Sequence, residues 1–154
     1  MSHHAKSACY FETGVFRPPS EGGSASLLLR LTRNCPWNHC TFCAMYKTEK
    51  FQLRPPETVI DEIDIMHDIY TRIKALSPGQ APEQPVSATA IRNFVQKTPE
   101  LSFHQGMGML FEWFMAGCKT VFLQDADSLI MKTDHMIQIL NHLKLRFPEI
   151  ERIT

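Results

Sequence analysis

Three of the five cysteines in this chain crowd into one short stretch, at Cys35, Cys40 and Cys43, with four residues between the first two and two between the last two. Disulfide frameworks use paired cysteines at wider spacing in exported chains, so this cluster suits metal or cluster ligation better. Three thiolates on one loop can hold three irons of a cubane iron-sulfur cluster, and the lack of a fourth cysteine nearby leaves one iron open to an outside ligand. The alternative is a zinc ion on the same three cysteines with His39, Cys9 or Cys118, because zinc takes thiolate and imidazole ligands in fours. His39 adjoins Cys40, which makes it awkward for both to reach one tetrahedral ion, and no second cysteine pair at knuckle spacing exists. Cys9 and Cys118 stand alone in the sequence and read as small buried hydrophobes.

Such a loop needs a folded scaffold, and the composition supplies one. The chain has 154 residues, 44% hydrophobic and 21% charged, which fits about one globular domain and excludes disorder and collagen. Lysine plus arginine and aspartate plus glutamate each number 16, so a basic footprint for nucleic acid is not supported. No apolar run approaches the roughly 18 to 20 residues that span a bilayer, and the start, MSHHAKSACY, is not an export signal, so no membrane association and a cytoplasmic location are expected.

The hydrophobic pattern predicts the positioning elements. Residues 1–24 are rich in Pro, Gly and Ser and read as an extended arm whose order would need outside contacts. Leu27 to Thr32 is an apolar run broken only by Arg30, the length of a strand buried on both faces. The cysteine loop follows directly. Pro55 and Pro56 then open a helix carrying Val59, Ile63, Met66, Tyr70 and Ile73 at helical spacing, with Ile60, Ile69 and Leu76 widening the stripe. Ser77 to Pro85, with three prolines and a glycine, is a linker. Ser87 caps a short helix with Ile91, Phe94 and Val95, ended by Pro99. Phe103 to Ala116 reads as a third helix, stopped by Gly117, and Thr120 to Leu123 as a second buried strand. Thr133 or Asp134 caps a fourth helix bearing Met136, Leu140, Leu143 and Phe147. Glu149 to Thr154 looks like the start of a third strand.

Strand, helix, strand, helix, strand is a parallel α/β pattern, and the cysteine loop leaves the first strand at the end where such sheets and barrels carry their sites. A three-stranded parallel sheet with a bare edge is an improbable whole, so the chain reads as the N-terminal portion of something longer. Lys47, Lys50 and Arg54 follow the loop and could receive an anion, although solvated loop charge is the commoner explanation. His67, His104, His135 and His142 lie on helical segments without ligand spacing and default to helix surface.

The stretch LTRNCPWNHCTFCAMYK resembles the cluster loop of the radical S-adenosylmethionine (radical SAM) superfamily, in a C-x4-C-x2-C variant with four residues instead of the usual three between the first two cysteines. RPPSEGGSASLLLRLTRNC upstream and VFLQDADSLIMKTD downstream are similar to a subgroup of that superfamily of unassigned reaction, so the resemblance runs from about Arg17 to Thr154. It implies the N-terminal portion of a partial (β/α) barrel, with the arm at 1–24 and an incomplete core at 25–154. It also implies a [4Fe-4S] cluster on Cys35, Cys40 and Cys43 whose open iron is chelated by S-adenosyl-L-methionine (SAM). An electron donor such as a flavodoxin or ferredoxin then drives cleavage of SAM to a 5'-deoxyadenosyl radical, which abstracts hydrogen from a substrate that these residues do not name. Phe42 stands at the aromatic position expected to meet the adenine. Where the family carries a Gly-Gly-Glu type motif for the SAM amino group, this chain has Gln124, Asp125, Ala126 and Asp127. Asp125 is the first choice for that contact and Asp127 the second, and either could instead cap a turn before Leu129. A non-catalytic iron-sulfur or zinc module built on the same three cysteines is the rival reading.

Overall fold

A computed structural model describes residues 10–14, 25–77 and 84–154. Cys9, most of the 1–24 arm and the middle of the Ser77 to Pro85 linker lie outside the described residues. Strand β1 (Leu27–Arg30) is buried along Leu27, Leu28 and Leu29, as an apolar run in a parallel sheet should be. It ends two residues earlier than the sequence suggests. Thr32–Arg33 turns away as β2 and pairs antiparallel with β3 (Gln52–Leu53), so that a two-stranded ribbon closes the base of the cysteine loop.

Helix α1 (Pro56–Ala75) starts at a proline and buries Val59, Ile63, Met66, Ile69 and Ile73. Tyr70, expected on this stripe, is only half-buried, and Ile69 holds the deeper place. In α2 (Ala88–Lys97) the Ser87 hydroxyl accepts the Ala90 N–H at 3.2 Å, the cap expected of it. The single helix expected over Phe103 to Ala116 is divided. A 3-10 turn (Pro99–Phe103) precedes α3 (Met107–Met115), and between them His104 Nδ1 accepts the Gly106 N–H at 3.1 Å while its ring stacks on Phe11, centroids 4.2 Å apart. That local bond bends the backbone away from helix and takes His104 off a helix surface. Gly117, at φ 82°, is the expected stop.

Strand β4 (Thr120–Gln124) lies between β1 and β5 (Arg152–Ile153), both parallel to it, in the order β1-β4-β5. Between β4 and β5, α4 (Thr133–Arg146) packs on α1. It begins after Lys132 with no side-chain cap, so Thr133 and Asp134 fall inside its first turn, where the Asp134 charge suits the helix dipole. Ile139 takes the core place expected of Leu140, beside Leu143 and Phe147. The core closes around Trp113, which meets Phe147 edge-on at 4.8 Å, with Phe114 against Tyr70 at 5.0 Å. The architecture is mixed α/β, with four helices and an open three-stranded parallel sheet among the described residues. No described helix is long and apolar enough to cross a membrane.

Two histidines tie this core to pH. Burial holds His104 below the ordinary imidazole range, and burial together with the Arg146 charge does the same for His67. Both hold a proton less readily in the fold than in the unfolded chain, where they take up protons at about pH 6.5. Stability is therefore fully present above about pH 6.5 and falls as pH drops below it, because the unfolded state binds more protons. Glu62, raised by burial, works in the opposite sense nearer the carboxylate range. Melting temperatures measured from pH 8 to 5.5 should decline below about pH 6.5, and His67→Gln with His104→Gln should flatten the decline. A melting temperature constant over that range contradicts it.

Candidate metal centre

The loop 34–51 joins β2 to β3 beyond the C-terminal end of β1 and is braced by two asparagines, both in the left-handed region that this side chain tolerates, Asn34 at φ 67° and Asn38 at φ 49°. The Asn34 amide donates to the Lys50 carbonyl at 2.7 Å, and the Asn38 amide to the Tyr46 carbonyl. Asn38 N–H also donates to Cys35 Sγ at 3.3 Å, and Lys47 Nζ to the Asn38 carbonyl at 3.0 Å.

Cys35, Cys40 and Cys43 are free, half-buried thiols on this one loop. Cys118 is far from their chemistry: it sits in the core, where burial pushes its thiol well up and keeps it protonated. His39 is exposed with its ring edge-on to Trp37 at 5.3 Å. Among the described residues, no three or more His, Cys, Asp or Glu side chains already converge as a metal-holding group. The donor set nevertheless fits a three-thiolate cluster in kind and number, since three accessible thiols share one loop and the fourth described cysteine is withdrawn from it.

Asp125, at the end of β4, is engaged within the protein. Its side chain is 4% exposed and pairs with Arg30 Nη2 at 2.7 Å. It also accepts the Asn34 N–H at 3.0 Å and the Tyr46 hydroxyl. Burial pushes the Tyr46 phenol far up, and the bond to Asp125 adds to this, so Tyr46 is a donor throughout the physiological range. Asp127 is exposed, and its Oδ1 accepts the Leu129 N–H at 3.1 Å, the turn that aspartate readily makes. Phe42 is 90% exposed and Trp37 67% exposed, on the same loop as the thiols. Of the three cations after the loop, Lys50 is exposed and Lys47 is spent on the loop backbone, while Arg54 is not a solvated loop charge but a buried one.

In comparisons with known proteins, no protein-family model matches this chain, no curated protein matches it, and no solved structure matches it.

Sequence reasoning missed the hub of the site's electrostatics, Glu12. Its carboxylate bonds Arg30 Nη1 at 2.8 Å and Arg33 Nη2 at 2.6 Å, with Arg54 Nε at 3.6 Å. Burial raises its pKa, but the Arg33 bond and the charges of Arg54, Arg33 and Arg30 outweigh that and hold it below the usual carboxylate range. Beside it Phe11 is 1% exposed, so residues 10–14 dock on the fold by internal contacts. The available signal was an aromatic pair and an acid, Tyr10, Phe11 and Glu12, in an otherwise Pro/Gly/Ser-rich arm. The histidines divide: His142 Nε2 pairs with Asp64 at 2.7 Å across α1 and α4, and His67 meets the Phe147 ring edge-on at 5.4 Å.

Proposed function

We propose that this chain is a radical SAM enzyme, or the N-terminal part of one, in which Cys35, Cys40 and Cys43 hold a [4Fe-4S] cluster. The observation that carries this reading is positional: a loop with three half-buried thiols lies beyond the C-terminal end of β1, joined to it through β2, and is fastened there by Asp125, the residue after the neighbouring parallel strand β4. The order β1-β4-β5, in which successive parallel strands pair side by side, is compatible with the opening strands of a (β/α) barrel. When bound, the cluster supplies an electron, received from a flavodoxin or ferredoxin, for reductive cleavage of SAM. This chain's residues bind and orient. Phe42 offers an exposed ring to the adenine, and Lys50 is an exposed cation for a carboxylate. Asp127 has a solvent-facing carboxylate for the SAM amino group, whereas Asp125 already holds three donors. A cytoplasmic location accords with thiols that must stay reduced.

The occupation of Asp125 also favours a second reading, a metal module without SAM. The two separate by adding SAM to anaerobically reconstituted, reduced protein. The enzyme reading expects SAM to change the cluster's electron paramagnetic resonance spectrum. An iron-loaded protein with an unchanged spectrum leaves the binding module, and stoichiometric zinc retained under iron-rich anaerobic expression removes both iron readings.

A further inference from the structure

We propose that Asp125 is the positioning residue of the cysteine loop, one carboxylate fastening both ends of the segment that carries the three thiols. The proposal rests on the metal-binding reading above only for what the thiols hold. Asp125 Oδ2 accepts the N–H of Asn34, the residue before Cys35, and Oδ1 accepts the hydroxyl of Tyr46, three residues after Cys43. All three cysteines therefore lie between two bonds to a single side chain. Tyr46 is also the one buried side chain in 34–51, so the point gripped by Asp125 is where the loop is anchored to the fold.

The anchor is itself fixed. Arg30, on the adjacent strand, holds Asp125 Oδ2 at 2.7 Å and Glu12 at 2.8 Å, and the Asp125 N–H donates to Thr32 Oγ1 at 3.2 Å. The loop's other closures are the Asn34 and Asn38 side-chain bonds to the Lys50 and Tyr46 carbonyls, which lie within the loop itself, and the ribbon of β2 and β3, two residues a side with β3 exposed, which is weak on its own. Gathering three thiols on one centre requires an ordered loop. Whatever order the Asp125 bonds impose beforehand need not be supplied by metal binding, so their loss should appear as weaker metal affinity and a looser metal-free loop.

The atoms distinguish a carboxylate from its amide. In Asp125→Asn the oxygen can keep the Asn34 and Arg30 donors while the amide group turns to the Tyr46 oxygen, so part of the clamp survives. Tyr46→Phe removes one bond and leaves the Arg30 pair intact, which protects the test if Asp125→Ala fails to fold. Tyr70→Phe removes a hydroxyl on α1, away from the loop, as control.

Two measurements on the full chain test the proposal: titration with Co2+ alone, read by thiolate-to-cobalt absorption, and hydrogen exchange over 34–46 without metal. Tyr46→Phe and Asp125→Ala should raise the Co2+ dissociation constant about 10- to 100-fold and speed exchange across the loop. Asp125→Asn should fall between them and the unaltered chain, and Tyr70→Phe should change neither quantity. Unchanged exchange and affinity in Tyr46→Phe overturn the clamp, even if the unaltered chain binds cobalt well. Faster exchange in Tyr46→Phe with no cobalt bound by any form upholds the clamp and overturns the metal-binding reading instead.

Discussion

Changing any one of Cys35, Cys40 or Cys43 to Ala should bring the iron and sulfide content of anaerobically reconstituted protein to background, against close to four of each per unaltered chain. The size of the effect follows from the donor count. The loop carries three thiols, and the remaining described cysteine, Cys118, is buried in the core just after α3 with its thiol held protonated. Among the described residues no spare thiol can replace a lost ligand, and a cubane held at two corners is open to solvent and oxidation. Cys118→Ala should keep the full load, as should Cys9→Ala, and each loop variant should keep the melting temperature of the metal-free chain because none of the three thiols packs in the core. Retention of most of the iron in two of the three loop variants would overturn the three-thiolate centre.

That three cysteines share one loop was legible because residue type and spacing are local properties of a sequence. So were β1, α1 and β4, whose apolar runs match the two periodicities that backbone geometry allows. What escaped depends on partners distant in the chain. Asp125 reads as an open carboxylate until Arg30 and Tyr46 arrive from 95 and 79 residues away and bury it. Arg54 reads as loop charge until Glu12 and Glu62 enclose it. The ribbon of Thr32–Arg33 with Gln52–Leu53 has no periodicity to detect, since two residues per strand cannot show one. Ile139 and Leu140 are equally apolar neighbours, and only the approach of α1 decides which of them faces inward.

Arg54→Met should destabilise the fold by about 3–5 kcal/mol, the cost of leaving a buried charge without its partner, and lower the melting temperature by roughly 6 to 20 °C for a chain of this size. The Arg54 side chain is 0% exposed, ion-paired with Glu62, close to Glu12 and donating to the Arg30 carbonyl. Methionine preserves much of its apolar volume, so the loss is electrostatic. Glu12 retains Arg30 and Arg33, whereas the pairing recorded for Glu62 is to Arg54. Burial already raises the Glu62 pKa against the pull of Arg54, and without the guanidinium it must rise further. A carboxyl whose folded pKa lies above its unfolded value of about 4.3 favours the fold when protonated. The penalty in Arg54→Met should therefore shrink as pH falls through that raised value and be largest at neutral pH and above. Adding Glu62→Leu removes the stranded charge and should recover most of the loss, since apolar residues can replace a buried ion pair at little net cost. Urea denaturation of both variants at pH 8 and pH 5 reads these differences. A single variant within 1 kcal/mol of the unaltered chain, on the order expected for exposed pairs, would mean that the pair is hydrated and that Glu12 and Arg30 hold the loop's anchor without help from α1.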